Sequence, residues 1–122
     1  MATVANAAKK AALDAITALL NSGSFRVLTS ADGELAVPTF ASTAFGAATT
    51  ASPSVATAAT LTADTSITAG TFTKFEMRSS APAVIISGSV GVGSGDIQVA
   101  DNVIPGTATS FNITGLTISL QM

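Results

Sequence analysis

The sequence predicts a mainly β protein: an antiparallel β-sandwich of about seven or eight strands, preceded by one N-terminal amphipathic helix. Three observations predict it. Apolar residues recur at helical spacing only near the start of the chain. From Phe25 onward, short runs alternate between apolar and polar residues. Clusters of Gly, Pro, Asp and Ser separate those runs at short intervals, as turns between strands do. The 122 residues suit a single domain spanning 1–122, since domains typically run to about 100–150 residues.

Residues 3–21 read as the helix. Val4, Ala8, Ala12, Leu13, Ile16, Leu19 and Leu20 form an apolar stripe, and Lys9, Lys10, Asp14, Thr17 and Asn21 lie mostly away from it. Thr3 suits the N-cap through its hydroxyl. Gly23 suits the left-handed position after the helix end. The alanines permit close approach to another surface, either the chain's own sheet or a neighbouring subunit.

The β region follows, over 25–122. Phe25–Thr29 alternates at period two, Ala31-Asp32-Gly33-Glu34 signals a turn, and Leu35–Phe40 returns as a second strand. Pro38 places that strand at an edge or a bend, because proline has no N–H for a ladder. Residues 41–69 are rich in Ala, Thr and Ser and carry one charge, Asp64. This segment is open to two readings: a flexible, arm-like clasp on a neighbour, or a strand of small residues over Val55–Thr62. Phe45 is an anchoring ring ahead of a turn at Gly46.

In Thr71–Arg78, Thr71, Thr73, Phe75 and Met77 take one face and Phe72, Lys74, Glu76 and Arg78 the other. A turn at Ser79–Pro82 leads to a strand over Ala83–Val92, with Val84, Ile86, Val90 and Val92 on one face. Gly93-Ser94-Gly95 reads as a hairpin turn into Asp96–Val99, and Ile104–Thr107 as another turn. The final strand, Thr109–Met122, shifts parity: Phe111 and Ile113 are odd, whereas Leu116, Ile118, Leu120 and Met122 are even. A β-bulge near Thr114-Gly115 restores the face.

The composition narrows the chemistry. There is no His, Cys, Tyr or Trp, which removes Ser-His-Asp and Cys-His arrangements, thiolate nucleophiles and nearly every zinc site. The carboxylate pairs Asp32/Glu34 and Asp96/Asp101 are the remaining acid–base candidates, and both sit beside turns where acidic residues are ordinary. Gly91–Asp96 looks like a phosphate-binding glycine loop, but the fingerprint needs a helix after it and Ile97-Gln98-Val99 continues as a strand. Asp96, Asp101 and Asn102 offer oxygens without calcium-loop spacing. Asn112-Ile113-Thr114 matches a glycosylation acceptor inside a strand and reads as chance. The expectation is a non-enzyme that takes no metal, cofactor or small-molecule substrate.

The same numbers bear on partners. The net charge is −2 and the five basic residues are scattered, so nucleic acid is not expected as a partner. No apolar run approaches the roughly 20 residues of a membrane span. The 24 Ala, 18 Thr and 14 Ser against 12 charged side chains describe an exterior suited to lying against other protein, since interface cores are depleted of charge. Val4, Ala8, Ala12, Ile16, Phe40 and Phe45 are the candidate interface residues.

Several motifs give the chain a family likeness. They are the Asn6–Leu20 helix ending in Asn21-Ser22-Gly23, the stretch Phe40–Ala48, then Ile86-Ser87-Gly88-Ser89-Val90-Gly91, Gly95-Asp96-Ile97, Ile104-Pro105-Gly106 and the Thr-rich final strand. In this order they resemble small phage and prophage virion structural proteins, over most of the chain. The sequence departs from that pattern in its short loop after the first strand, in Lys74 where a second aromatic is expected, and in Met122 where the pattern has proline. The resemblance implies a structural protein of a phage particle without fixing its location. The leading expectation is a capsid decoration, or cement, protein on the outer surface of the head, a task that a small β domain, an Ala-rich helix and a neutral flexible segment suit. Its partners would be the major capsid protein and copies of itself, with trimers as one arrangement. A tail or neck ring component is the alternative, and a carbohydrate- or receptor-binding module a third reading.

Overall fold

A computed structural model describes residues 3–120. The helix α1 covers Asn6–Ala18. Nine strands follow among the described residues: β1 Ser24–Leu28, β2 Glu34–Ala36, β3 Ser54–Thr57, β4 Gly70–Thr71, β5 Lys74–Arg78, β6 Val84–Gly91, β7 Ile97–Gln98, β8 Val103–Ile104 and β9 Thr117–Leu120. The protein is thus mainly β with one N-terminal helix. The sheets are open: one of five strands in the order β2-β1-β5-β6-β7, and two pairs, β3-β9 and β4-β8.

The five-stranded sheet is built on alternation. Phe25 and Val27 on β1, and Phe75 and Met77 on β5, turn inward and are buried. Register places Phe25 opposite Met77 and Val27 opposite Phe75, and the rings of Phe25 and Phe75 stack with centroids 5.5 Å apart. Phe72, by contrast, is buried at the break between β4 and β5 and meets Phe111 edge-on at 5.5 Å. One hydrophobic cluster takes in these residues together with Leu13, Leu20, Phe40, Phe45, Ala56, Leu61, Ile104 and Leu116.

Several expectations require correction. The helix is shorter than 3–21 and has no side-chain cap: Ala5 occupies the N-cap position, and its carbonyl accepts from the N–H groups of Ala8 and Lys9. Its buried line is Lys9, Leu13 and Thr17, continued by Leu20, one position round from the expected stripe. Only Leu13 and Leu20 are large enough to anchor the face. The alanines contribute little apolar area, so the stem of Lys9 and the methyl of Thr17 fill the gap. The helix packs on β3 and β9 of its own chain.

Gly23 does not take the left-handed position; Ser22 does, with φ 58°. Gly23 is there because its Cα faces the carbonyl of Arg78, and any Cβ would overlap that oxygen. The second strand stops at Ala36, and Pro38 is fully buried beyond it, its carbonyl accepting from Phe25 N–H at 2.8 Å. Residues 41–69 are not a free arm. Ala44, Phe45, Ala48, Ser54, Ala56 and Leu61 are buried, and bridges join Thr39 to Thr62, Phe45 to Ala58 and Asp64 to Phe111.

Two further corrections concern β6 and the end of the chain. A register shift between Met77 and Arg78 sets Met77 opposite Ile86 but Arg78 opposite Val84. Val84 therefore joins the outer face and is 47% exposed, as Val92 is exposed past the strand end. Gly93 to Gly95 does not make a hairpin: β7 runs parallel to β6, with Val90 opposite Ile97. The loop turns back on itself through Gly93 (φ 75°) and Gly95 (φ 94°). The parity shift after Thr109 is real, because Leu116 is buried and Ile118 and Leu120 are half-buried. It arises at Gly115, where φ is 69°, between a bridge at Phe111 and a separate strand β9, not from a bulge in one continuous strand. Met122 lies outside the described residues.

Candidate interaction surface

The outer face of the five-stranded sheet carries a ladder of charges. The same alternation that buries Phe25 and Phe75 sends Arg26, Lys74, Glu76 and Arg78 outward. Cross-strand register sets Arg26 opposite Glu76. Arg26 Nε donates to Glu34 Oε1 at 2.6 Å and its Nη1 donates to Glu76 Oε1 at 2.9 Å. Arg78 Nη2 reaches the same Glu76 oxygen at 3.2 Å. Lys74 Nζ donates to Asp32 Oδ1 at 2.9 Å, and Asp32 is delivered there by its left-handed turn conformation, φ 66°. Burial disfavours the charge on Arg26, but its hydrogen bonds to Glu34 and Glu76 outweigh that, so the guanidinium is held above its ordinary value.

The remaining charges are tied down one by one. Lys9 Nζ donates to Ser52 Oγ at 2.8 Å and Lys10 Nζ to Asp14 Oδ2 at 2.6 Å. Asp14 Oδ1 accepts the N–H of Ala48. Lys10's hydrogen bond, then that of Ala48, lowers the Asp14 carboxyl below its ordinary value against a smaller opposing effect of burial. Asp64 accepts from Val37 N–H and Ser66 N–H, Asp96 from Ser89 N–H, and Asp101 from Val103 N–H. All 12 charged side chains of the sequence therefore have a partner inside the chain.

The carboxylate pairs named from sequence do not converge. Asp32 and Glu34 bond to different cations, Lys74 and Arg26. Asp96 and Asp101 each hold a local backbone N–H. Among the described residues no three of His, Cys, Asp and Glu gather at one point. Asn102 donates to Phe72 O, and Asn112 donates to Leu61 O at 3.0 Å. A cleft of about 340 Å³ lies on the outer sheet face beside Phe75, Ser87 and Gly88; its charged members Asp32 and Lys74 are bonded to each other.

The candidate interface residues divide into two groups: Ala8, Ala12 and Ile16 follow one another at four-residue spacing along α1, with Val4 just ahead of it, and Phe40 and Phe45 lie elsewhere. Val4, Ala12 and Ile16 are half-buried and Ala8 is exposed. Phe40 and Phe45 belong to the chain's own core, at 4% and 6% exposure, with ring centroids 5.6 Å apart. The exposed side of α1 is instead Ala8, Ala11, Ala15 and Ala18, with Leu19 beyond it.

Sequence reasoning missed the open edge of β6. This strand has β5 along one side, and along the other only the two-residue β7, opposite Val90 and Gly91. The rest of that edge, Val84–Ser89, pairs with no strand of the chain among the described residues. A signal was present: no charged residue occurs between Ser79 and Gly95. No helix among the described residues is long and apolar enough to cross a membrane. No protein-family model, curated protein or solved structure matches the chain.

Proposed function

We propose that this chain is a bacteriophage virion structural protein, a decoration protein that stabilises the head by binding the major capsid protein and further copies of itself. The observation that carries the reading is the internal pairing of all 12 charged side chains. With 24 Ala, 18 Thr and 14 Ser against those 12, the exterior is mostly hydroxyl and methyl groups, the composition of a surface suited to lying against other protein. The resemblance of the sequence motifs to small virion proteins suggests the setting. Many weak contacts repeated over a shell add up through multivalency. On this reading the chain is not an enzyme and takes no cofactor or nucleic acid. It also takes the five-stranded sheet as one layer of a β-sandwich and the β3-β9 and β4-β8 pairs as the other, closed over the shared core.

The test is to image purified particles with and without the protein. Particles that contain hundreds of copies on the head, and whose heads assemble but rupture at lower temperature without it, support the reading. Copies confined to a tail or neck ring, or absence from virions, overturn it.

A further inference from the structure

We infer that the free edge of β6 is a self-association site, on which β6 of a second copy pairs antiparallel about a two-fold axis passing beside Ile86. This does not rest on the virion reading.

The main-chain groups of β6 set the geometry. Val90 N–H donates to Thr73 O, on the β5 side. Ser89 N–H donates to Asp96 Oδ2 at 3.0 Å, and Gly91 O accepts from Val99 N–H at 3.0 Å, both on the other side. Alternate residues of a strand point their N–H and C=O groups to alternate neighbours. The N–H and C=O of Ser87 therefore face away from β5, where no strand among the described residues meets them. An edge of this kind is a template for another strand.

The occupant follows from charge and length. The edge and its flanks carry no charge from Ser79 to Gly95, so two copies bring no like charges together, and a charged peptide finds no counter-charge to read. The charges on β1, β2 and β5, Arg26 and Arg78 with Glu34 and Glu76, are paired within each copy, so two outer faces continue into one sheet without repulsion. The free stretch has its middle at Ile86. One end is closed by Asp96 and β7, which fixes how far a partner strand can run. A second β6 matches that length, and its own stop falls beyond the Val84 end of the first.

The test compares the full chain with Ser87→Pro and Ser87→Lys by sedimentation, with far-UV circular dichroism and thermal melting as folding controls. Proline removes the outward N–H and leaves the β5 side intact; lysine places charge on the edge, next to its cross-strand neighbour Glu76. The expected result is a wild-type dimer whose Ser87 amide is protected from hydrogen exchange and becomes unprotected on dilution. At concentrations where all three are monomeric both variants melt like wild type, but they associate roughly tenfold or more weakly. A wild type that stays monomeric at every concentration overturns the inference. So does a folded Ser87→Pro or Ser87→Lys variant that dimerises as well as wild type, or an edge that pairs only with a different protein.

Discussion

Asp14 Oδ1 accepts the backbone N–H of Ala48 at 2.8 Å, across 34 residues of chain. With Lys9 on Ser52 and Asn21 Oδ1 accepting Ala44 N–H, it makes polar groups of α1 and of the turn after it the clamp on the following segment. The carboxyl sits below its ordinary value because of Lys10 and then Ala48. A depressed carboxyl stabilises the fold above its unfolded-state value and stops doing so as pH falls through its folded-state value. Melting curves across about pH 2 to 7 should show Asp14→Asn less stable than wild type at neutral pH. The gap should close as the medium becomes acidic. A gap of constant size across the series would contradict the assignment.

Gly23 is a matter of space and not of helix termination. Gly23→Ala should cost about 3 kcal/mol in urea unfolding, the upper end of ordinary overpacking, because the new methyl meets a carbonyl oxygen that belongs to a paired strand. Ser22→Gly, at the residue with positive φ, should be tolerated.

The Phe25–Phe75 stack joins the two central strands. Phe25→Ala should lower stability by about 4 kcal/mol as a cavity opens in the core. A double-mutant cycle with Phe75→Leu should return a coupling of about 1 kcal/mol. Simple additivity of the two changes would show that the rings fill space independently.

Asp96 holds the loop between β6 and β7 through Ser89 N–H and Ser89 Oγ. Gly88 makes room for it: a Cβ there would fall 2.5 Å from the carboxylate. Asp96→Ala should speed hydrogen exchange at the Ser89 amide and loosen β7. The amides of β1 and β5 should exchange as in wild type, since local opening need not reach the core.

The sequence is most legible where polarity contrasts are strong. Phe25, Arg26 and Val27 on β1, and Phe75, Glu76 and Met77 on β5, alternate sharply, and their faces fall as expected. In α1 the contrast is weak, because Ala scarcely distinguishes inside from outside, and Lys9 and Thr17, expected away from the apolar stripe, line the buried face. In 41–69 small residues hide which of them are buried until Asp14, Asn21 and Lys9 fix the segment by hydrogen bonds. The register shift that exposes Val84 and the parallel course of β7 depend on partners distant in sequence or on loop geometry, so no local pattern announces them. Two of the candidate interface residues, Phe40 and Phe45, look like anchors for a neighbour until the core that holds them is seen.

The closed accounts of the charged side chains reach beyond the resting molecule. Eight of the 12 charged side chains sit in ion pairs and the net charge is only −2, and such a body projects little field past its first hydration layers. Partners approaching it are not steered, and capture depends on random collision followed by shape fit. Its association rate should therefore change little between dilute buffer and concentrated salt, which suits a subunit that must dock equally well in whatever medium surrounds it.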